Sequence, residues 1–368
     1  MRIEDIDRNF IVETDITEPD LVWFNIKEAP FVIYGVSFEE SEGRYTRMPK
    51  VAADRVSPGV VGARKLTSGG RVRFKTDSTY IAIKAVQKNV APTSHMTWLG
   101  HSGFDLYHKK RGKDVYYFSF MPPIGMTQGY SSGKKTDGKY TDYTINFPGF
   151  DGVSELYVAL KKGARLSAPT PYKTECPVVF YGSSITHGGC ASRPGNTYPA
   201  MISRELDINF INLGFSGKAK GEPGMADYIA SLDMSAFVLD YDHNTSSEQH
   251  LIDTHEPFFK KVRAAHPDMP IVIVSAPNTK LQSSMIYAGH GSFCNRRDII
   301  RKTYENAVAA GDKNVYFVDG FTLFSGKHSD ACTVDGIHPN DLGFYRMSQV
   351  IGKVLKKVLT AKEQHNEN

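Results

Sequence analysis

The feature that constrains this 368-residue chain most is a set of five apolar runs in its second half. None of them alternates polar and apolar residues, and they occupy positions 178–181, 210–213, 237–239, 271–274 and 315–318. Candidate helices lie between or after them, at 198–206, about 254–265, 297–310 and 342–359. Strands without a polar face, interleaved with helices, are typical of a parallel sheet that helices cover on both sides. The pattern therefore predicts a three-layer α/β/α fold around a five-stranded parallel sheet.

The first half of the chain follows a different pattern, with many short strands and no helical period of useful length. The clearest strands lie at 71–75, 80–84, 114–120, 143–147 and 155–159, with glycine-bearing turns between them. Short, regularly spaced strands with turn signals predict a β-sandwich or jelly roll. Such a domain could bind carbohydrate through exposed aromatic side chains, although aromatics in a sandwich more often fill the core.

A chain of this length is expected to form two domains rather than one. Between 161 and 177 the strand pattern stops, and Pro169 and Pro171 interrupt a stretch that has no periodicity. We therefore predict a carbohydrate-binding-like β-sandwich domain at 1–165, a linker at 166–176 and the α/β domain at 177–368.

The overall charge is close to balanced, at +4, and basic residues occur only in short clusters such as 109–111. A nucleic-acid-binding surface usually carries a longer basic stripe, so these clusters are better explained as solvated faces. No stretch of the sequence approaches the length of an apolar membrane span. We expect neither a nucleic-acid partner nor a membrane partner, and the sequence leaves the oligomeric state open.

The four cysteines are scattered without the spacing of a zinc site. They are too few to form a disulfide framework for a chain of this length, although the sequence leaves a single bridge open. Residues 1–8 contain no apolar segment of a secretory signal. A cytoplasmic location is therefore favoured, but a secreted protein whose leader has been removed would look the same.

Polar residues follow the ends of the predicted parallel strands. Ser183 and Ser184 come directly after the first strand, and Asp335 and His338 come after the last one. Because ligands gather at the carboxyl ends of the strands in an open α/β sheet, these groups are expected to share one crevice. A serine hydroxyl is a weak nucleophile without a base, which His338 can supply while Asp335 orients the imidazole. The pattern predicts an acyl-transfer site in which a serine is the nucleophile.

The tetrahedral intermediate of acyl transfer also needs hydrogen-bond donors. The backbone N–H of the serine, an N–H from the loop of Gly217 and the side-chain amide of Asn244 would supply three. Each motif is common when taken alone, because Asp335 could merely cap a turn and Asn244 could begin a helix. Their joint position at strand ends favours the catalytic interpretation.

Three further residues are candidates for substrate contact. Arg193 could reach a sugar hydroxyl or a carboxylate, or simply be solvated. His187 and His243 could touch substrate, although packing is the more common role for such histidines. The 12 histidines include no His-x-x-x-His pair, and the stretch that begins at His255 is not the His-Glu-x-x-His zinc signature. We expect neither a metal nor an organic cofactor.

The order of these motifs resembles that of the SGNH (GDSL-type) hydrolase superfamily. The first block of the family is matched by Gly182-Ser-Ser-Ile185, and this resemblance implies Ser184 as the nucleophile. Ser183 stands where the family usually has aspartate, a difference that leaves the nucleophile itself in place.

The later blocks of the family imply the remaining members of the site. Gly217 and Asn244 would complete the oxyanion hole with the N–H of Ser184, and Asp335 and His338 would complete the triad. The third block departs from the usual Gly-x-Asn-Asp, since the chain has Asp-Tyr-Asp-His-Asn at 240–244. Gly214 is a rival to Gly217 for the second block.

The first half adds a second resemblance. Gly103-Phe-Asp-Leu-Tyr107 is similar to the Gly-x-Asp-Leu-Tyr signature of a β-sandwich domain that precedes one SGNH branch. That branch includes gut bacterial mannan O-acetylesterases. The resemblance implies a serine esterase that removes O-acetyl groups from carbohydrate, with mannan or manno-oligosaccharides as acetylated substrates, through an acetyl-enzyme intermediate.

Three alternatives stay open. The chain could transfer an acyl group to a sugar or a small-molecule alcohol, because the same layout occurs in acyltransferases of natural-product pathways. It could also hydrolyse a different acylated glycan or small molecule. The third alternative is a non-enzymatic glycan-binding protein on a retired hydrolase fold, which the presence of Ser184, Asp335 and His338 disfavours.

Overall fold

The computed structural model describes residues 16–88, 93–277 and 292–366. Residues 1–15, on which the expected cytoplasmic location depends, lie outside the described residues. The chain divides into two units. The first comprises Met1–Arg47, Lys65–Tyr172 and Ser192–Gly195, and the second comprises Met48–Arg64, Lys173–Ala191 and Asn196–Asn368.

The secondary structure elements are numbered here in chain order. The strands are β1 (Leu21–Asn25), β2 (Val32–Tyr34), β3 (Ser37–Glu39), β4 (Arg44–Thr46), β5 (Arg71–Thr76), β6 (Tyr80–Lys88), β7 (Phe104–Lys110), β8 (Lys113–Phe120), β9 (Gly129–Lys135), β10 (Thr141–Asn146), β11 (Gly152–Lys161), β12 (Leu166–Ser167), β13 (Thr174–Gly182), β14 (Ile208–Gly214), β15 (Ala236–Asp240), β16 (Ile271–Val274) and β17 (Val315–Val318). The helices are α1 (Lys50–Ala53), α2 (Pro58–Ala63), α3 (Trp98–Ser102), α4 (Ser184–His187), α5 (Tyr198–Leu206), α6 (Pro223–Ala230), α7 (Glu248–Ala265), α8 (Phe293–Ala309) and α9 (Asp341–Asn366). Among the described residues, no helix combines the length and the apolar character needed to cross a membrane.

The first unit is built on two antiparallel sheets. One has the order β1-β11-β6-β9, and the other has the order β12-β5-β10-β7-β8 with β2 paired to β5. Alternate residues of both sheets enter a shared apolar core, to which β5 gives Val72 and Phe74 and β6 gives Ile81 and Ile83. Two sheets that share one core form a sandwich, and the predicted β-sandwich is confirmed.

The second unit contains a parallel sheet of five strands in the order β14-β13-β15-β16-β17. Its strands are buried on both faces, because Val179 and Tyr181 of β13 enter one core while Val178 and Phe180 enter another. Helices α6, α7 and α8 contribute to the first core, and α5 and α9 contribute to the second. The predicted three-layer α/β/α fold is therefore confirmed.

The segment Met48–Arg64 packs with the second unit although it lies within the sequence of the sandwich. Its two helices place Ala53 and Val60 in the same core as Met225 of α6, and neither side chain has exposed surface. Helices α1 and α2 have only 4 and 6 residues. Elements this short show no helical period, so the sequence pattern did not reveal them.

The long helices match the predicted positions except at their ends and in one addition. Helix α7 begins at Glu248, ahead of the predicted start, because the Ser247 hydroxyl accepts a hydrogen bond from the His250 N–H and caps it. Helix α6 was not predicted from the sequence, and it starts at Pro223, a residue type suited to the first helical turn. No disulfide joins the four cysteines, all of which lie in the described residues.

Candidate active site

The proposed nucleophile lies at the point where β13 turns into α4. Ser183 adopts an extended conformation there, and its hydroxyl accepts a hydrogen bond from the Ile185 N–H at 3.2 Å. This side-chain cap starts the short helix at Ser184, which is 9% exposed. Gly188 ends the helix with φ of 106°, a left-handed conformation that favours glycine. Ser183 thus caps the helix at the position where the family usually has aspartate.

Ser184, His338 and Asp335 lie in one row of hydrogen bonds in the second unit. The Oγ of Ser184 is 2.9 Å from Nε2 of His338, and Nδ1 of His338 is 2.7 Å from Oδ2 of Asp335. With the imidazole proton on Nδ1, Nε2 is an acceptor for the serine proton. The structure therefore brings together the three residues predicted as a triad, in hydrogen-bonding order.

Backbone groups hold Asp335 in its orientation toward the imidazole. Its Oδ1 accepts hydrogen bonds from the N–H groups of Ile337 and His338, at 3.0 and 2.8 Å. Burial alone would raise the pKa of Asp335, but the hydrogen bonds from the His338 ring and from these two N–H groups hold it below the ordinary value. The carboxylate is therefore ionised at neutral pH.

Asn244 lies against the loop that follows β14. Its Nδ2 donates a hydrogen bond to the carbonyl of Phe215 at 3.0 Å. This bond ties Asn244 to the loop that contains Gly217. Gly217 in this loop has φ of 65°, and no atom lies within 4 Å of the position of a Cβ. The positive φ explains why glycine occupies this position.

Gly214, the rival to Gly217, has a packing role. Its N–H donates to the Asn212 Oδ1 at 2.8 Å, and a Cβ at Gly214 would lie 2.2 Å from the backbone nitrogen of His187. The N–H is thus engaged within the fold and the glycine permits a close approach of α4. Of the two glycines, Gly217 remains the candidate oxyanion donor.

Asn212 is a residue of this region that the sequence analysis missed. Its Nδ2 donates to the carbonyl of Thr186 at 2.8 Å while its Oδ1 accepts from Gly214, so the amide bridges α4 and the loop after β14. Asn212 is fully buried. The signal in the sequence was a carboxamide inside an otherwise apolar strand, since a buried amide needs partners for its polar atoms.

The two histidines that were candidates for substrate contact lie in different surroundings. His187 has no exposed surface, and its Nδ1 accepts a hydrogen bond from the Ser216 N–H at 3.3 Å, so it helps to hold the loop that contains Gly217. The ring of His243 packs edge-on against Phe293, with centroids 5.8 Å apart. Burial lowers the pKa of His243 to about 4, and repulsion from Arg296 and His338 acts in the same direction. His243 is therefore neutral at neutral pH.

Arg193, the third candidate for substrate contact, interacts with the Gly-x-Asp-Leu-Tyr motif within the first unit. Its Nη1 donates to Oδ2 of Asp105 at 3.3 Å and to the hydroxyl of Tyr107. The guanidinium also lies over the ring of Tyr116, 4.1 Å from the centroid. The side chain keeps 21% of its surface exposed, so it is only partly buried by these contacts.

Asp105 explains why the motif contains an aspartate. This fully buried carboxylate accepts hydrogen bonds from the Asn146 side chain at 2.8 Å and from the Gly195 N–H at 2.8 Å, besides its contact with Arg193. The hydroxyl of Thr97 also donates to the Ser192 carbonyl at 2.9 Å. The motif therefore fixes the segment Ser192–Gly195 within the first unit.

We predict that Gly195→Ala destabilises the protein, because the new Cβ would lie 2.5 Å from the Tyr107 hydroxyl and 2.8 Å from Asp105 Oδ2. Overpacking a tight site costs about 1–3 kcal/mol, so thermal unfolding should show a clearly lower Tm. The control is Gly62→Ala in α2, where a Cβ meets no atom within 4 Å. An equal Tm for the two variants would contradict the packing around Asp105.

A Ser–His–Asp row at the edge of a parallel sheet is an arrangement that enzymes use for acyl transfer through a serine nucleophile. The comparison with protein families agrees: residues 175–356 match the GDSL-like lipase/acylhydrolase family, and residues 21–166 match the GxDLY domain, the N-terminus of SGNH-hydrolase-type esterases. Together these two matches span most of the chain. The chain belongs to the GDSL-like lipase/acylhydrolase family, in the branch with a GxDLY domain, and it is a carboxylic ester hydrolase.

Solved structures with the same fold include both hydrolases and a transferase. A candidate GDSL-like lipase from Bacteroides ovatus is 27% identical, with a TM-score of 0.82 over 92% of this chain and 98% of its own. The salicylyl-acyltransferase SsfX3 of a tetracycline biosynthetic pathway is 19% identical, with a TM-score of 0.76 over 91% and 96%. An acetyl xylan esterase from Butyrivibrio proteoclasticus is 14% identical, with a TM-score of 0.55 over 92% and 99%. No curated protein matches the chain.

Proposed function

We propose that this ester hydrolase removes O-acetyl groups from carbohydrate, with acetylated manno-oligosaccharides as the first substrate to test. The observation that carries the proposal is the hydrogen-bonded row of Ser184, His338 and Asp335, with contacts of 2.9 and 2.7 Å. The choice of an acetylated sugar is supported by the Gly-x-Asp-Leu-Tyr resemblance and by the acetyl xylan esterase among the structures of similar fold.

The proposed reaction proceeds in two halves. Ser184 Oγ attacks the acetyl carbonyl and gives its proton to Nε2 of His338, while Asp335 stabilises the imidazolium. The Ser184 N–H, the Gly217 N–H and the Asn244 amide stabilise the oxyanion. His338 then protonates the departing sugar oxygen, which leaves an acetyl group on Ser184. Water attacks this ester with His338 again as base, and acetate and free Ser184 result.

The substrate class is tested by acetate release from a panel of esters. Acetylated manno-oligosaccharides, acetylated xylo-oligosaccharides and an aryl acetate should be compared by kcat/KM under the same conditions. Preference for the manno-oligosaccharides is the expected result. Turnover of the aryl acetate with none of either sugar ester would overturn the carbohydrate proposal and retain the esterase, whereas preference for xylan esters would move the proposal to a different glycan.

An acyltransferase is the second candidate, and the fold shared with SsfX3 is the observation that favours it. The two functions differ only in which nucleophile attacks the acetylated Ser184. The test adds a free sugar or a small alcohol to the reaction and measures new ester against acetate. Hydrolysis predicts that acetate stays the main product. Transfer predicts that the new ester dominates at alcohol concentrations far below that of water.

We predict that Asn244→Ala lowers kcat by about 10²–10³-fold, the cost of losing one oxyanion donor. KM should change little, because the interaction strengthens in the transition state. The control is Asn306→Ala, which removes a similar amide whose Nδ2 donates to Glu256 at 2.8 Å elsewhere in the second unit. A kcat for Asn244→Ala within threefold of the control would remove Asn244 from the oxyanion hole.

A further inference from the structure

Asp240 is a buried carboxyl at the end of β15 that the reaction above does not use. Its Oδ2 lies 3.0 Å from the Thr186 Oγ1 and 3.1 Å from the Tyr198 hydroxyl. The two hydroxyl oxygens are themselves 3.1 Å apart. The three side chains therefore form a closed triangle of oxygen atoms, named here the Asp240 triangle.

The triangle is connected to the nucleophile through the short helix that carries both Ser184 and Thr186. Thr186 follows Ser184 by two residues in α4, a helix of only four residues. A helix this short has little stability of its own, so its position depends on outside contacts. Thr186 provides two of them, since Asn212 holds its carbonyl and Asp240 holds its hydroxyl.

The backbone next to the triangle is shaped to admit Thr186. A Cβ at Gly182 would lie 2.0 Å from Thr186 Oγ1 and 2.4 Å from the carbonyl oxygen of Asp240, so only glycine fits there. The same carbonyl of Asp240 accepts the N–H of Ser183 at 3.2 Å. Asp240 thus contacts the nucleophile turn through both its backbone and its side chain.

The contacts of the carboxyl fit an uncharged acid. Within the described part of the chain, no cation acts on the Asp240 carboxyl, and its buried Oδ1 has no hydrogen-bond partner. Burying an ionised carboxylate costs much free energy when no cation is near and one of its two oxygens accepts no hydrogen bond. With a proton on Oδ2, each of the three oxygens can donate one hydrogen bond and accept one, which completes the ring.

We propose that Asp240 is a positioning residue that acts as a neutral carboxylic acid and holds the Ser184–His187 helix through Thr186 and Tyr198. The proposal rests on the proposed function of Ser184 as a nucleophile. Burial raises the pKa of Asp240 well above its ordinary value, and repulsion from the neighbouring Asp242 adds to the rise. Asp242 lies in the turn after β15 and accepts the Ala276 N–H at 2.9 Å.

The positioning role is tested by the rate at which Ser184 reacts with a fluorophosphonate probe, together with kcat and KM for an aryl acetate. In the probe reaction the serine oxygen bonds to phosphorus, fluoride leaves, and the serine proton passes to His338. Asp240→Ala should slow both rates by about 10- to 100-fold with KM nearly constant, because a misplacement of ~1 Å can cost ~10²-fold. Asp240→Asn, which keeps a neutral side chain of the same shape, should restore both rates to within threefold of wild type.

Two further variants separate positioning from general loss of stability. Thr186→Val removes one hydroxyl of the triangle with little change in side-chain volume, and it serves as the test if Asp240→Ala does not fold. It should also slow labelling. Ser203→Ala removes a buried hydroxyl of α5 that donates to the Ile208 carbonyl at 2.6 Å, and it should lower Tm without slowing labelling. Wild-type labelling rates in folded Asp240→Ala or in Thr186→Val would overturn the positioning role.

The charge state is tested separately by infrared difference spectroscopy of wild type against Asp240→Asn at neutral pH. Loss of the carbonyl stretch of a protonated acid is expected, and loss of carboxylate bands instead would overturn the neutral acid. An Asp240→Asn variant as slow as Asp240→Ala would overturn it as well. If wild-type Ser184 takes no probe at all, the proposed function fails, and the infrared result still decides the state of Asp240.

Discussion

Ser184→Ala should lower acetate release by at least ~10³-fold, the scale expected when the nucleophile of a hydrogen-bonded triad is removed. The reason is that Ser184 Oγ is the hydroxyl 2.9 Å from Nε2 of His338. Without it, the imidazole has no nucleophile to activate, and only the oxyanion donors and substrate binding remain. The measurement is kcat for an aryl acetate and for the best sugar ester, with wild type and Ser184→Ala compared after thermal unfolding has shown that their Tm values agree.

The matched control for this prediction is the neighbouring serine. Ser183 caps α4 through its hydroxyl and has no exposed surface. Ser183→Ala should therefore lower stability by about 0.5–2 kcal/mol, the usual cost of a lost N-cap, and lower kcat far less than Ser184→Ala. Acid quenching during turnover followed by mass spectrometry should find the acetyl group on Ser184. A wild-type rate in Ser184→Ala, or the acetyl group on another residue, would refute the proposed mechanism.

Asp335→Asn should lower kcat by about 10³–10⁴-fold, because the amide would hold the imidazole in the wrong tautomer. Two backbone N–H groups bind Oδ1 of Asp335, so the substituted side chain keeps its oxygen there and turns its NH₂ toward Nδ1 of His338. Nδ1 would then accept, and Nε2 would carry the proton and could no longer accept one from Ser184. The measurement is the pH profile of kcat with the aryl acetate.

The control for Asp335→Asn is Asp330→Asn, which removes one negative charge from an exposed position in the same loop. It should leave kcat within threefold of wild type. If Asp335→Asn also stayed within threefold, the hydrogen bond to His338 would have no catalytic role.

The same pair of proteins should differ in how their stability depends on pH. Because the folded state holds the pKa of Asp335 below its ordinary value, the carboxylate stabilises the fold at pH values above that ordinary value. This contribution is lost as the pH falls through the lowered pKa. The Tm advantage of wild type over Asp335→Asn should therefore be larger at about pH 7 than in acid below roughly 3.9, the reference value for aspartate.

Much of the fold was determined by local patterns in the sequence. The five apolar runs lie within β13 to β17, and two of them have the same bounds as the strands, because a strand buried on both faces is apolar at most of its positions. The order of polar residues after these strands also placed Ser184, Asp335 and His338 together, since the carboxyl ends of parallel strands share one edge. These conclusions needed only the period of hydrophobicity and the position of turns.

What only the tertiary structure decided depends on contacts between residues far apart in sequence. Only the structure shows that the Gly214 N–H donates to Asn212 and that Arg193 lies against Asp105, 88 positions earlier in the chain. The environment of Asp240 could not be predicted either. It depends on burial and on hydrogen bonds with Thr186 and Tyr198, which lie far from Asp240 in the sequence. Sequence periodicity reports which face of an element is buried, whereas hydrogen-bond partners and charge states depend on which elements the fold brings side by side.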